Sequence, residues 1–152
     1  MKFRTVAVTL LGIVVVVVAA GAGVIEKDRP APGAPDGLLV TMQQLDANTR
    51  AAGEAIAAKN WPRVAELADQ LNHHVEPPLG QKLRVMLWLR TQAPNFRGYD
   101  GKLRTAAVAM GLAARAGDAQ AVSASYTQLQ AACSGCHGKY QAAYIAHFHA
   151  GE

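Results

Sequence analysis

Near the C-terminus of this 152-residue chain stands the run Cys133-Ser134-Gly135-Cys136-His137. Two thiols three positions apart, followed at once by an imidazole, form the pattern by which both sulfurs add across the vinyl groups of a haem while the histidine ligates its iron. On a helix, positions i, i+3 and i+4 share one face, so Cys133, Cys136 and His137 can point into one interior. The imidazole supplies a neutral nitrogen donor, and thioether bonds retain the porphyrin without relying on affinity alone. Ser134 and Gly135 are small and let a porphyrin edge approach the backbone. A bare C-x-x-C also fits a redox dithiol or half of a zinc site. These are the chain's 2 cysteines, so there is no second pair to complete a zinc site. No β-α-β pattern supports a thioredoxin-like fold either. His137 tips the reading towards one covalently attached haem c.

Helices must present this motif, and the apolar spacing supplies them. Leu38, Met42, Leu45, Thr49, Ala52 and Ile56 recur at intervals of three and four, which predicts a first helix over about residues 38–58 with Asp36 as its N-cap. Pro62 opens a second helix, striped by Val64, Leu67, Ala68 and Leu71 and stopped by Glu76-Pro77-Pro78. Leu83, Met86, Leu87 and Trp88 predict a short helical extension, and residues 93–101 (APNFRGYDG) a turn-rich connection ending in Asp100 as a cap. A third helix carries Leu103, Ala107, Met110 and Ala114 and stops at Gly117. Asp118 caps a fourth, along which Val122, Tyr126, Leu129, Cys133, Cys136, Tyr140 and Tyr144 make a stripe of about six turns. Nothing reads as a strand. The expected fold is all-α, an antiparallel four-helix bundle preceded by an N-terminal hydrophobic segment.

That segment, Val6 to Ile25, contains no charged residue and comes after Lys2 and Arg4. Its length spans a hydrocarbon core as a helix, and positive charge ahead of it sends the rest of the chain across the membrane. A signal anchor is favoured over a cleaved signal peptide ending near Ala20-Gly21-Ala22, because the run is longer than a signal's usual apolar region. The organisation read from this is residues 1–25 as anchor or signal, 26–36 as a Pro/Gly-rich linker, and 37–152 as the folded haem domain. The domain would lie on the periplasmic side of the cytoplasmic membrane, anchored or soluble. Without Lys2 and Arg4, the 15 basic residues fall to thirteen against 11 acidic ones, scattered singly, so no nucleic-acid surface is indicated. No acid pair, nucleophile with base, or phosphate loop is present, and no enzyme activity is expected.

Residues 88–141 resemble the class II c-type cytochromes, that is, cytochrome c-prime and its low-spin relatives. The resemblance rests on Trp88 and Phe96, the alanine-rich third helix, the turn Ala116-Gly117-Asp118, and a haem motif close to the C-terminus followed by Tyr140. Most monohaem cytochromes c place the motif near the N-terminus. The resemblance extends over about residues 38–144. It implies a four-helix bundle, often homodimeric, with Cys133 and Cys136 as thioether attachments and His137 as the proximal iron ligand. In low-spin relatives a first-helix methionine is the distal ligand, and Met42 stands nineteen residues before Trp61, about where that residue belongs. Two positions depart from the pattern: Leu38 and Gln141 stand where relatives often carry an arginine. Lys139 and Arg50 are weak substitutes for pairing a haem propionate.

The leading expectation is a one-electron carrier with iron bound by His137 and Met42, exchanging electrons with redox partner proteins. The alternative is a five-coordinate, cytochrome c-prime-like haem that binds nitric oxide or carbon monoxide, and Met42 discriminates between them. A dithiol oxidoreductase acting through Cys133 and Cys136 is the third reading. Met86 and Met110 are expected in the core, His73 and His74 on the surface, and His147 and His149 in a fraying tail.

Overall fold

A computed structural model describes residues 36–150. Five α-helices succeed one another: α1 (Gly37–Ala57), α2 (Trp61–Asn72), α3 (Leu79–Leu89), α4 (Ala93–Ala116) and α5 (Ala119–Phe148), with a 3-10 turn over Arg90–Gln92. No strand occurs among the described residues. The anchor or signal of residues 1–25 and nearly all of the linker lie outside them. No described helix is long and apolar enough to cross a membrane.

Local chemistry sets the helix ends. The Asp36 carboxylate accepts from the backbone N–H of Leu38 at 2.8 Å, and Asn60 caps α2 by accepting from Arg63 N–H at 3.2 Å. Asp118 caps α5 through Ala121 N–H at 3.0 Å. Each of these side chains satisfies a donor that the first turn leaves without an intrahelical partner. Gly117 closes α4 in the left-handed region at φ 71°, where a Cβ would be strained.

The connection foreseen over residues 93–101 is instead the first two turns of α4. Pro94 is tolerated there because the first helical turn has no intrahelical use for its missing N–H. Gly98 and Gly101 weaken a helix without breaking it, and Phe96 and Tyr99 hold the segment down on α5, their rings 5.4 and 6.2 Å from that of Tyr140. Asp100 therefore lies inside α4 and caps nothing.

Four of the helices form an up-down-up-down bundle. Helix α4 packs against both α2 and α5, α1 packs against α2 and more sparsely against α5, and α2 and α5 occupy opposite corners. The main core is built of small and medium side chains. Ala52, Ala68, Ala107 and Ala114 are buried beside Val64, Leu67, Leu71, Met110, Val122 and Leu129, and alanine at the contacts lets the helix axes approach closely. A second, aromatic cluster closes the far end of α5. There Tyr140 and Tyr144 pack with Val85, Leu89, Trp88 and Phe148, and the Trp88 ring stacks on His147 at 5.5 Å. The tail is thus tied to the domain: the Tyr144 hydroxyl donates to Asp36, and His149 Nε2 lies 2.9 Å from the same carboxylate.

Met110 is fully buried in the main core. Met110→Ala should cost about 2–5 kcal/mol in urea unfolding of the purified protein, whereas Leu112→Ala on the same helix, 60% exposed, should change stability by less than about 0.5 kcal/mol.

Candidate haem site

Helix α2 stops at Asn72, while α1, α4 and α5 run on alongside one another. The space beyond its end is a cavity of about 510 Å³, within the usual range for cofactor sites. Helix α5 contributes Cys133, Cys136 and His137; α1 contributes Leu38, Met42 and Leu45; α4 contributes Phe96, Tyr99 and Leu103. The fourth wall, in the corner α2 has vacated, is the α2–α3 connection with His74 and Pro77, continued by Val85 and Met86 of α3. Thr41 fastens that wall to α1, its Oγ1 donating to Gly37 O at 2.8 Å and sharing a 3.0 Å contact with Val75 O.

The sequence motif and Met42 thus meet at one cavity, from helices α5 and α1. Both cysteines are half-buried, unpaired by a disulfide, and His137 is exposed at the cavity rim. Burial pushes both thiols upwards, Cys136 to about 11. The attacking sulfur of a dithiol exchange centre is normally shifted the other way. Gly135, between the cysteines, has a physical reason different from the one its sequence position suggests: a Cβ there would lie 2.9 Å from Cε1 of the Tyr99 ring. The glycine makes room for an aromatic wall residue that braces the motif turn. Ser134 also borders the cavity, its hydroxyl donating to Gln130 O at 3.0 Å.

Two thiols and an imidazole on one helix face, opening into a mostly apolar cavity of this size, match what a covalently held iron porphyrin requires. Cys133 and Cys136 could supply the thioether sulfurs and His137 the axial nitrogen. Among the described residues, no three His, Cys, Asp or Glu side chains gather into a self-contained metal site.

Several residues fall differently from expectation. Met110 is core, as foreseen, but Met86 is only partly buried and faces the cavity. His73 is exposed, whereas the His74 side chain is 6% exposed and lies 3.1 Å from Asp100 Oδ1. Lys139 and Arg50 do not reach the cavity: Lys139 lies over the Tyr140 ring, and Arg50 pairs with Asp46 on the surface of α1. The basic side chains that do line it are Lys82, Arg97 and Arg104. Asp100, expected as the cap of the third helix, stands instead one turn before Arg104 within α4 and pairs with it, and Arg104 carried no signal in the sequence.

The family model described as cytochrome C' matches residues 39–141. Comparison with curated proteins gives no match, and none is found among solved structures.

The His74–Asp100 pair makes stability depend on pH. The hydrogen bond to Asp100 raises the His74 pKa above its usual 6.5. Burial opposes ionisation of Asp100, but hydrogen bonds from His74 and Arg104 bring its pKa below 3.8. The histidine contribution is fully present below the unfolded pKa and is lost as pH rises through the raised folded value. The aspartate contribution is present above its unfolded pKa and is lost as pH falls through the depressed one. The stability difference between wild type and His74→Gln should therefore be larger at about pH 5 than at about pH 9 in urea unfolding.

Proposed function

The chain belongs to the cytochrome c' family, whose members carry covalently attached haem c, and we propose that it is a one-electron carrier whose haem is fixed by Cys133 and Cys136 and ligated by His137 and Met42. The observation that carries this reading is that Met42, on α1, lines the same cavity as the three motif residues on α5. Bound haem supplies one-electron chemistry at its iron. The protein's part is to hold and tune it. The two cysteines would hold the porphyrin covalently from one helix face, the His137 imidazole would supply a nitrogen ligand to its iron, and the Met42 thioether would supply a second, softer donor. Thioether ligation raises the reduction potential relative to two imidazoles. Leu38, Leu45, Leu103 and Phe96 exclude water from the site, so little solvent must reorganise when charge moves.

A second reading has its own support. Leu38, Leu45 and Met86 give the α1 and α3 side of the cavity an apolar lining, suited to a small uncharged ligand such as nitric oxide or carbon monoxide on five-coordinate iron. No catalytic residue belongs to either reading. We also read residues 1–25 as directing the domain to the periplasmic side of the cytoplasmic membrane, where redox partner proteins would meet it; a homodimer accords with the family habit.

The purified protein should retain haem through denaturing electrophoresis, and Cys133→Ala with Cys136→Ala should abolish the staining. Wild type should be low-spin, with a sharp reduced α-band. Met42→Ala should become high-spin, with a lower potential and an open site for carbon monoxide, while Met86→Ala stays low-spin. A wild type that is already high-spin and binds carbon monoxide readily would favour the gas-binding reading.

The full chain should stay with membranes in high salt and leave them in detergent, because the apolar run greatly exceeds what surface electrostatics supplies. A soluble form beginning near Val24 would identify a cleaved signal instead.

A further inference from the structure

The wall that takes over the corner of α2, with the face of α4 beside it, carries most of the charged side chains of the cavity. Arg104, on α4, is its hub. Its Nε donates to Asp100 Oδ2 at 2.8 Å and its Nη1 to Asn72 O at 2.5 Å, so the guanidinium caps the last turn of α2. Its Nη2 reaches Glu76 Oε1 at 3.3 Å and stands 3.3 Å from His74 Nε2. Lys82, from α3, closes the group by pairing with Glu76.

Three polar contacts bear on the charge of His74, the Arg104 Nη2 contact and two more. Its Nδ1 lies 2.8 Å from the Leu71 carbonyl oxygen, which can only accept, and its Nε2 lies 3.1 Å from the Asp100 carboxylate. The closer partner of Nε2 is the Asp100 carboxylate rather than the Arg104 Nη2 donor at 3.3 Å, and that hydrogen bond raises the His74 pKa, so the imidazole is held towards its cationic form. Three cations, Arg104, His74 and Lys82, are then set against two carboxylates, Asp100 and Glu76, and all five side chains line the cavity. The other charged groups around the cavity are Asp46 on α1 and Arg97 on α4. Of the five, His74 is the most enclosed and is paired with Asp100, but the group as a whole holds one more cation than carboxylates, a surplus that an anion in the cavity would balance.

The position of this wall says which anion. His74, Glu76 and Lys82 come from the α2–α3 connection and α3, in the corner diagonal to α5 that α2 has vacated. Asp100 and Arg104 come from α4, the direct neighbour of α5, which carries Cys133 and Cys136. A protohaem bears its vinyl groups towards one side and its two carboxylates towards the other, so attachment of the vinyl side to α5 directs the carboxylates across the cavity. We propose that the α2–α3 wall is the carboxylate subsite of this cavity, with Arg104 and His74 receiving the acidic edge of the haem and Asp100 and Glu76 positioning them. The inference rests on the covalent-haem reading of the site.

The test is resonance Raman spectroscopy of the purified haem-bearing protein, read at the low-frequency band of carboxylate-side-chain bending, together with the midpoint potential. Arg104→Gln and His74→Gln should each shift that band and lower the potential, because each removes positive charge that favours the reduced iron. Arg115→Gln, on the same helix but outside the cavity and paired with Asp69, should leave the band in place. Should Arg104→Gln fail to fold for want of the bond to Asn72, His74→Gln and the charge-preserving Arg104→Lys carry the test, and Arg104→Lys should also move the band because a single ammonium cannot reproduce the fork. An unmoved band in folded His74→Gln and Arg104→Lys, or a shift in Arg115→Gln alone, would overturn the proposal. Haem staining of the same samples separates this outcome from failure of the covalent-haem reading, which would leave the wild type itself unstained.

Discussion

Everything at the haem end of the bundle depends on where α2 stops. A four-helix bundle of uniform length would fill its own centre with side chains, as the Leu67, Leu71, Met110 and Leu129 layers do here. Because Glu76-Pro77-Pro78 cannot continue α2, its corner beyond Asn72 is taken by a thinner connection, and the three helices that run on cannot close the gap. The cavity is the geometric remainder, and it lies at the level of the C-x-x-C-H turn of α5.

Such a gap would collapse without bracing. Thr41 ties α1 to the connection, Arg104 ties α4 to the end of α2, and Tyr99 leans on the backbone of Gly135. These are polar or aromatic contacts at the edges of the cavity, and its interior is left to apolar side chains. The division of labour is physically sensible. Charged groups in the middle of the cavity would need partners out of water, whereas at the rim they are partly solvated and already paired.

The two packed clusters have different characters because they have different tasks. The alanine-rich core brings helix axes close together and fixes the spacing of α1, α4 and α5. The aromatic cluster around Tyr140 and Tyr144 carries larger, more directional side chains and locks the last turns of α5 against α3 and the start of α1. The segment that bears the haem motif is held between the two, and the tail residues His147 and His149 are part of that anchorage rather than loose ends.

Much of this was written in the linear sequence. The spacing of Leu38, Met42 and Leu45, the Asp36 and Asp118 caps, the Gly117 stop and the unbroken stripe from Val122 to Tyr144 determine helices by local chemistry alone, and the pentapeptide from Cys133 to His137 determines the kind of cofactor. Local rules failed at residues 93–101, where proline and glycine spelled a turn but Phe96 and Tyr99, packed on Tyr140, made a helix. That error hid the pairing of Asp100 with Arg104. Only the tertiary structure could bring His74, Asp100 and Arg104 together or carry Met86 to the cavity wall. A helical period assigns a residue to a face of its own helix; which neighbour that face meets, and whether the neighbour is water, carboxylate or cavity, is set by the packing of segments far apart in the chain.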